Sequence, residues 1–507
     1  MHLKSNTFKV FLLFCALFLI ITLPVFFQKN HIIKNLEPYP DGILFSLSAR
    51  NFAMGNGLKL SYEWGQVEFW VPPLYSIYLS FFYFFSKNVI TFYLANILLG
   101  LGTLFILKKI IESTTNDLRA IIFGLLIYIS HFVIFWLPSL AMTENLSMFF
   151  FSLLVFSLLT SKLKTKLAYS FISIIGLTLV RFATLPISIA ALFIIAIQLK
   201  KYCKKYFKYL FLIILFLILL ALFLIKTSVF HEIYDTIIIS ISNNNFFNYK
   251  FVYPNLVNYF NSLIFNKGKF LWLNIGITSW PILLIFVTSF FLIKSSLLRK
   301  KLNLLLIIFF SLLPLQLLFY TYDSRYLIYS IIIFSISGSW LIYEYKKKSV
   351  TLLISLAIII NIFSQKDFVK KIFADNLLGK STAWQYEAIM SFNKNLKDDQ
   401  MLITALPPFL IDAYQETSFR PLPMSNAQEF LQKKQLVWGQ DVNYENLILN
   451  YKNWLKEGRT LYISNAYITH QQTVIDDFEI FKKEFDLELI SKGCLDACNI
   501  YKLNLKE

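Results

Sequence analysis

Acidic side chains are scarce in the first 364 residues, where eleven Asp and Glu stand against 31 Lys and Arg, a net +20. Residues 365–507 hold 19 acids and 17 bases, a net −2, so the +18 of the whole chain arises in its first part. Charge of either sign is scarce overall, at 15% of 507 residues, while hydrophobic residues reach 57%. That balance excludes a soluble globular chain and marks a multi-spanning membrane protein. A basic excess confined to the membrane part reads as topology and contact with anionic membrane lipids, not as a nucleic-acid surface. Cysteine is scarce too: four residues exclude a disulfide scaffold. Cys494 and Cys498 (CLDAC) can pair if the tail lies outside the cytoplasm, with a zinc half-site as the rival reading. The five histidines are scattered, and there is no P-loop and no G-x-G-x-x-G after a strand. Energy for any reaction must therefore come from an activated donor or a gradient.

What is present is a series of apolar runs. Residues 8–27 follow Lys4 and overlap Lys9, lack a small-residue cleavage site and read as an uncleaved anchor with its N-terminus in the cytoplasm. A first outer loop spans 28–88. Within it, 74–85 (LYSIYLSFFYFF) is short of the roughly 20 residues a span needs and is expected to lie in the interface. Further spans are expected near 89–107, 120–138, 145–161, 167–181, 183–199, 207–226, 271–293, 302–320, 326–343 and 349–364, eleven with the first. This topology places most Lys and Arg of the membrane part inside and most of its acids outside. Beyond 364 the composition changes. Strands at 401–406, 460–464 and 499–505 alternate with amphipathic stretches at 383–397, 443–456 and 470–485. The expected fold is an all-α polytopic membrane bundle of about eleven transmembrane helices plus interfacial helices (1–364), carrying a small α/β extracytoplasmic domain (365–507).

Candidate chemistry gathers at the outer ends. Asp41, between Pro40 and Gly42, opens a helical run. It suits an N-cap and, equally, a general base at the water–lipid boundary. Glu144, in MTENLS, is an acid at the start of a span, where the helix dipole alone would favour it; Glu68 is a third carboxylate of the same kind. Arg181 (LVRFATLP) and Arg325 (YDSRYLIY) lie where positive charge is statistically disfavoured. Each can snorkel to lipid phosphate or bind the phosphate of a specific ligand, and Asp323 can neutralise Arg325. His131, mid-span, reads as a packed core histidine. No cofactor is required by these residues, although carboxylates in pairs leave room for a divalent ion.

Taken in order, these features resemble a known family. Asp41 precedes a helix that ends in Gly55-Asn-Gly57. PPLYSIYLSFFYFF (72–85), MTENL, VRFATLP and RYLIYSIIIF (325–334) follow. The pattern is similar to GT-C glycosyltransferases of the protein-mannosyltransferase and aminoarabinose-transferase type, polytopic enzymes that use polyprenyl-phosphate sugars outside the cytoplasm. The resemblance implies a sugar transfer, inverting if displacement is single-step, to a lipid, glycan or protein acceptor at the cell (inner) membrane. It implies that Asp41 is the catalytic acid of the first loop and Glu144 that of the second. Arg325-Tyr326 becomes the pair at the lipid phosphate, with Arg181 and Glu68 assisting. Where some members carry Glu-Lys before Pro-Pro, this chain has Trp70-Val71. A lipid-linked oligosaccharide flippase or polysaccharide export component is the alternative reading, although no internal repeat or mid-membrane charge supports a transporter.

Overall fold

A computed structural model describes residues 2–27, 41–59, 72–88, 90–160, 162–199, 249–267, 269–270, 273–274, 276–313, 317, 323–373, 384–397, 400–405, 419–424, 446–466, 472–492 and 499–506. It divides into two compact units. One comprises Met1–Phe26, Trp70–Tyr75 and Tyr93–Phe373; the other comprises Phe27–Phe69, Ser76–Phe92 and Ala374–Glu507.

Among the described residues the longer helices of the membrane part are α1 (His2–Phe27), α2 (Asp41–Ala53), α3 (Leu74–Ser86), α4 (Ile90–Thr115), α5 (Leu118–Ile129), α6 (Glu144–Leu159), α7 (Leu163–Val180), α8 (Leu185–Leu199), α9 (Val252–Ile264), α10 (Trp280–Leu292), α11 (Ser296–Ser311), α12 (Ser330–Glu344) and α13 (Lys348–Ser364). Among the described residues, five helical segments are long and apolar enough to cross a membrane: Asn6–Pro24, Ile90–Thr115, Leu163–Val180, Ser324–Glu344 and Lys348–Lys370. α3, α6, α8 and α10 are apolar but shorter. The expected span at 207–226 lies outside the described residues. The chain is a membrane protein, mostly helical, with a small C-terminal sheet.

The expected spans differ from the structure in several places; α11, for one, ends at Ser311, inside the expected 302–320. The run 120–138 is one hydrophobic stretch in sequence, yet its two halves meet at a 70° bend. The break falls at Ser130–Phe132, and its backbone groups find partners on the end of α13. Asn361 Nδ2 donates to the Ser130 carbonyl (3.1 Å) and Oγ (3.0 Å), and Gln365 Nε2 donates to the same carbonyl at 2.7 Å. The Phe132 N–H donates to Gln365 Oε1 at 2.6 Å. Irregular backbone at membrane depth survives only when buried protein satisfies it in this way. The expected 271–293 span begins instead at Trp280, after a two-strand ladder (Lys269–Phe270 with Leu273–Asn274).

α3 is a separate helix of 13 residues, about 20 Å long, against roughly 30 Å of hydrocarbon. α2 is closed by Gly55 and Gly57, whose φ values of +84° and +80° are reached without strain by glycine. The Asn51 side chain donates to the Lys59 carbonyl at 2.8 Å and ties the turn to the helix. Within its unit, Ser76 Oγ of α3 donates to the Phe45 carbonyl of α2 at 3.3 Å.

The C-terminal region adds α15 (Trp384–Asn395), α16 (Leu447–Lys456) and α17 (Gln472–Glu484), after α14 (Lys366–Phe373) at the end of the bundle. Its strands are β1 (Gln400–Thr404), β2 (Phe419–Pro423), β3 (Leu461–Ser464), β4 (Phe485–Ser491) and β5 (Ile500–Leu505). The sheet order is β2-β1-β3-β5-β4, with β1 parallel to β2 and β3, and β5 antiparallel to β3 and β4. Ile403, Leu422, Leu461, Ile463 and Leu503 face Tyr451, Trp454, Phe478 and Phe481 of the helices in one core.

Candidate active site

α7 ends where Arg181 leaves the helical region (φ −160°, ψ 121°). Thr184 Oγ1 closes the break by bonding the Leu177 carbonyl (2.9 Å) and the Arg181 carbonyl (2.7 Å). The sequence places a β-branched hydroxyl three residues after the arginine, and the freed carbonyls of the helix end are satisfied by it. Arg181 is thereby turned towards the start of α6.

There Glu144 is the first residue of its helix and is wholly buried. Arg181 Nη1 donates to Glu144 Oε1 at 2.6 Å, and the Arg325 Nε stands 3.9 Å from the same oxygen. Asp323 supplies the second acid. Its Oδ1 caps the 3₁₀ turn Ser324–Leu327 by accepting the Arg325 N–H (2.9 Å), while Oδ2 lies 3.1 Å from Arg325 Nε. The neutralising contact expected of Asp323 is present.

Tyr326 lies between the cations. The Arg181 guanidinium carbon is 4.6 Å from its ring centroid and that of Arg325 is 5.5 Å away. Guanidinium groups stack favourably on such faces when water is excluded. Two arginines, two acids and an aromatic floor thus occupy one largely buried place, its formal charges balanced. A balanced cluster is cheaper to bury than any of its members alone.

The structure therefore brings Glu144, Arg181, Arg325 and Tyr326 together. Asp41 opens α2 in the other compact unit. Glu68, Cys494 and Cys498 lie outside the described residues. Among the described residues no group of three His, Cys, Asp or Glu could hold a metal ion.

Two further residues belong to this cluster and carried no signal in the sequence. Tyr329, fully buried one helical turn beyond Arg325, donates its hydroxyl to Ser147 Oγ at 3.0 Å. Ser147 stands three residues after Glu144, so this bond fixes α6 to the segment that delivers Arg325. Tyr259, buried to 2% exposure, lies on α9, the helix that packs against the Ser324–Leu327 turn. Only its distance in sequence concealed it.

His131 is the core histidine expected. Its Nδ1 is 2.8 Å from the Ile127 carbonyl, an acceptor, so Nδ1 carries the proton. Nε2 then accepts from Thr278 Oγ1 at 3.0 Å.

No family model matches the sequence, and no curated protein matches it. Solved structures do. ArnT from Cupriavidus metallidurans bound to undecaprenyl phosphate aligns over 96% of this chain and 97% of its own, with a TM-score of 0.61 at 12% identity. The same protein in the apo state aligns over 97% of each chain, with a TM-score of 0.57 at 11% identity. The chain has the fold of these ArnT structures. A fold of this kind was expected from the resemblance of the motif order, and at this identity the likeness extends to the fold alone.

Proposed function

We propose that the protein is a membrane glycosyltransferase that takes a sugar from a polyprenyl-phosphate donor and passes it to an acceptor outside the cytoplasm. The observation that carries this reading is the pair of guanidinium groups, from two distant segments, set against one tyrosine ring beside Glu144. Undecaprenyl phosphate in the similar ArnT structure supports a lipid phosphate as the anion this pair would meet.

In the reaction, an acceptor oxygen or nitrogen attacks the anomeric carbon as the bond from that carbon to the phosphate oxygen breaks. Asp41 takes the acceptor's proton. The electrons of the broken bond leave on the lipid phosphate, where Arg325, with Arg181, stabilises the developing charge. A single displacement of this kind inverts the sugar carbon. Tyr326 keeps the guanidinium groups in register. Glu144 holds Arg181, and through it orders the acceptor side of the site with Glu68. The transferred sugar is a hexose or pentose; the N-terminus is cytoplasmic and the C-terminal region extracytoplasmic.

Membranes containing the full-length protein, given a polyprenyl-phosphate sugar and cell-envelope acceptors, are analysed by mass spectrometry for product. Asp41→Asn and Arg325→Ala should abolish product at unchanged membrane insertion. Normal turnover by both variants would overturn the assignment. Lipid translocation without transfer, unaffected by Asp41→Asn, would favour the transporter reading.

A further inference from the structure

α16 and α17 cover one face of the C-terminal sheet. Tyr451 of α16 packs on Phe481 of α17 with ring centroids 6.0 Å apart, and Lys452 donates to Glu484. N-terminal to these contacts a cavity of about 130 Å³ opens between the two helices. Met424, Leu447 and Phe481, each no more than 5% exposed, line its apolar part together with Ile448 and Ile480. Asn446 and Asp477 supply its polar groups. An apolar cavity of roughly 150 Å³ holds benzene, so this one suits a group of about that size.

Its place in the fold is one where ligands sit. β1, β2 and β3 run parallel, and the chain crosses from β2 to β3 through α16. α16 therefore starts at the carboxyl end of these strands, where Met424 follows β2 directly. β5 is antiparallel to both β3 and β4, so β4 runs parallel to β3, and α17 between them starts at the same end. In open α/β sheets small ligands bind outside the carboxyl ends of the strands.

The charge at the cavity is a separate observation. α17 carries Asp476, Asp477, Glu479 and Glu484. Glu479 pairs with Lys482 and Glu484 with Lys452, while Asp476 is exposed. Asp477 is half-buried, and among the described residues it has neither a basic partner nor a hydrogen bond. A carboxylate partly withdrawn from water is costly until a donor or a cation meets it. Asn446 Oδ1 is occupied by the Leu449 N–H at 3.2 Å, so it is no competing acceptor. An anion would be repelled here, and a wholly apolar molecule would strip water from Asp477 without replacing it. A cationic nitrogen on an apolar body satisfies both parts of the lining.

We propose that the cavity between α16 and α17 is a binding site for a small organic amine. Its apolar body lies against Met424, Leu447 and Phe481, and its ammonium donates to Asp477. The site belongs to the C-terminal unit and does not rest on the glycosyltransfer reading.

The test uses the full-length protein in detergent and three probes of one shape: 4-fluorobenzylamine, 4-fluorobenzyl alcohol and 4-fluorobenzoate. Binding is followed by fluorine NMR of the probe over a concentration series, with protein-free micelles as the blank. Wild type should bind the amine about tenfold or more tighter than the alcohol, the worth of one charge-assisted hydrogen bond, and should not bind the benzoate. Asp477→Asn should bring the amine down to the level of the alcohol at an unchanged unfolding midpoint. Asp477→Glu, which keeps the charge, should bind the amine as wild type does. Ile480→Trp, which fills the mouth of the cavity from an exposed position, should weaken amine and alcohol alike. Equal binding of amine and alcohol by wild type, or wild-type binding of the amine by Asp477→Asn, would overturn the proposal.

Discussion

Glu144 and Arg181, on helices whose sequence positions differ by 37 residues, meet at 2.6 Å with side-chain exposures of 1% and 11%. A contact so removed from water couples the two side chains strongly, because neither charge has an equivalent partner in solvent. Breaking such a pair from one side costs about 3–5 kcal/mol, whereas removing both charges together costs much less. Glu144→Gln and Arg181→Met should each lower the unfolding midpoint in detergent, and the double variant should recover part of the loss. Additivity of the two single effects within about 0.5 kcal/mol would show that the pair is not coupled.

Asn361 has the same status in the polar network under the helix break. Its Oδ1 accepts from the Ser279 N–H (3.1 Å) and Oγ (2.9 Å), and its Nδ2 donates to Ser130. Leucine has nearly the same volume but leaves the buried Ser279 N–H without an acceptor. Asn361→Leu is expected to cost about 1–3 kcal/mol, the range for orphaning a buried polar group. Denaturant unfolding in micelles checks this, and a loss below the cost of one hydrogen bond would mean that the network rearranges.

Much of this architecture was legible because apolar length and breaker residues act locally. The short run at 74–85, the Gly55 and Gly57 turn and the break after Arg181 each follow from residues within one or two helical turns. Three strands of the C-terminal sheet were legible for the same reason. The two that were not, β2 and β4, are its edges. β2 reads Phe-Arg-Pro-Leu-Pro, and proline is tolerated in a strand where its missing N–H faces no ladder. β4 alternates Phe485 and Leu487 with Asp486 and Glu488, but it follows α17 directly with no Gly or Pro between them, so no breaker marks its start. The break at Ser130 was hidden because its compensating groups, Asn361 and Gln365, lie more than 230 residues away. The same applies to the candidate site. Glu144, Arg181 and Arg325 stood out singly as misplaced charges, but their meeting depends on how α6, α7 and α12 pack, which no local pattern encodes.

Close packing of α5 on α12 makes a third prediction. A Cβ on Gly124 would fall 3.0 Å from Ser339 Cβ and 3.2 Å from the Ser335 carbonyl, with the Ile111 side chain closer still. Ser335 and Ser339, one turn apart, are the small residues that permit this approach. Gly124→Val should therefore force the helices apart, at about 1–3 kcal/mol of overpacking strain. Exposed Gly458, at a positive φ with open space around it, is not a suitable control, but Ser364→Ala on the end of α13 is. Thermal unfolding that leaves Gly124→Val equal to wild type would mean that the two helices have room for the added side chain.

The C-terminal region supplies a pH dependence whose sign can be worked out. Lys452 Nζ of α16 donates to Glu484 Oε2 of α17 at 2.5 Å. That hydrogen bond, with the charge of the same ammonium, holds the Glu484 carboxyl below the usual carboxylate range. The folded state therefore binds this proton less readily than the unfolded chain does. The pair's contribution is fully present above the unfolded glutamate value of about 4.3 and fades as pH falls through the lower folded value. Both side chains are partly exposed, so the effect is small and is screened by salt. Lys452→Met in the full chain should melt below wild type at neutral pH and low ionic strength. The gap should close on acidification past pH ~4, and added salt should close it at neutral pH. A gap that survives both treatments would assign the loss to the packing of the lysine stem on Phe485, whose ring centroid lies 5.9 Å from Nζ, and not to its charge.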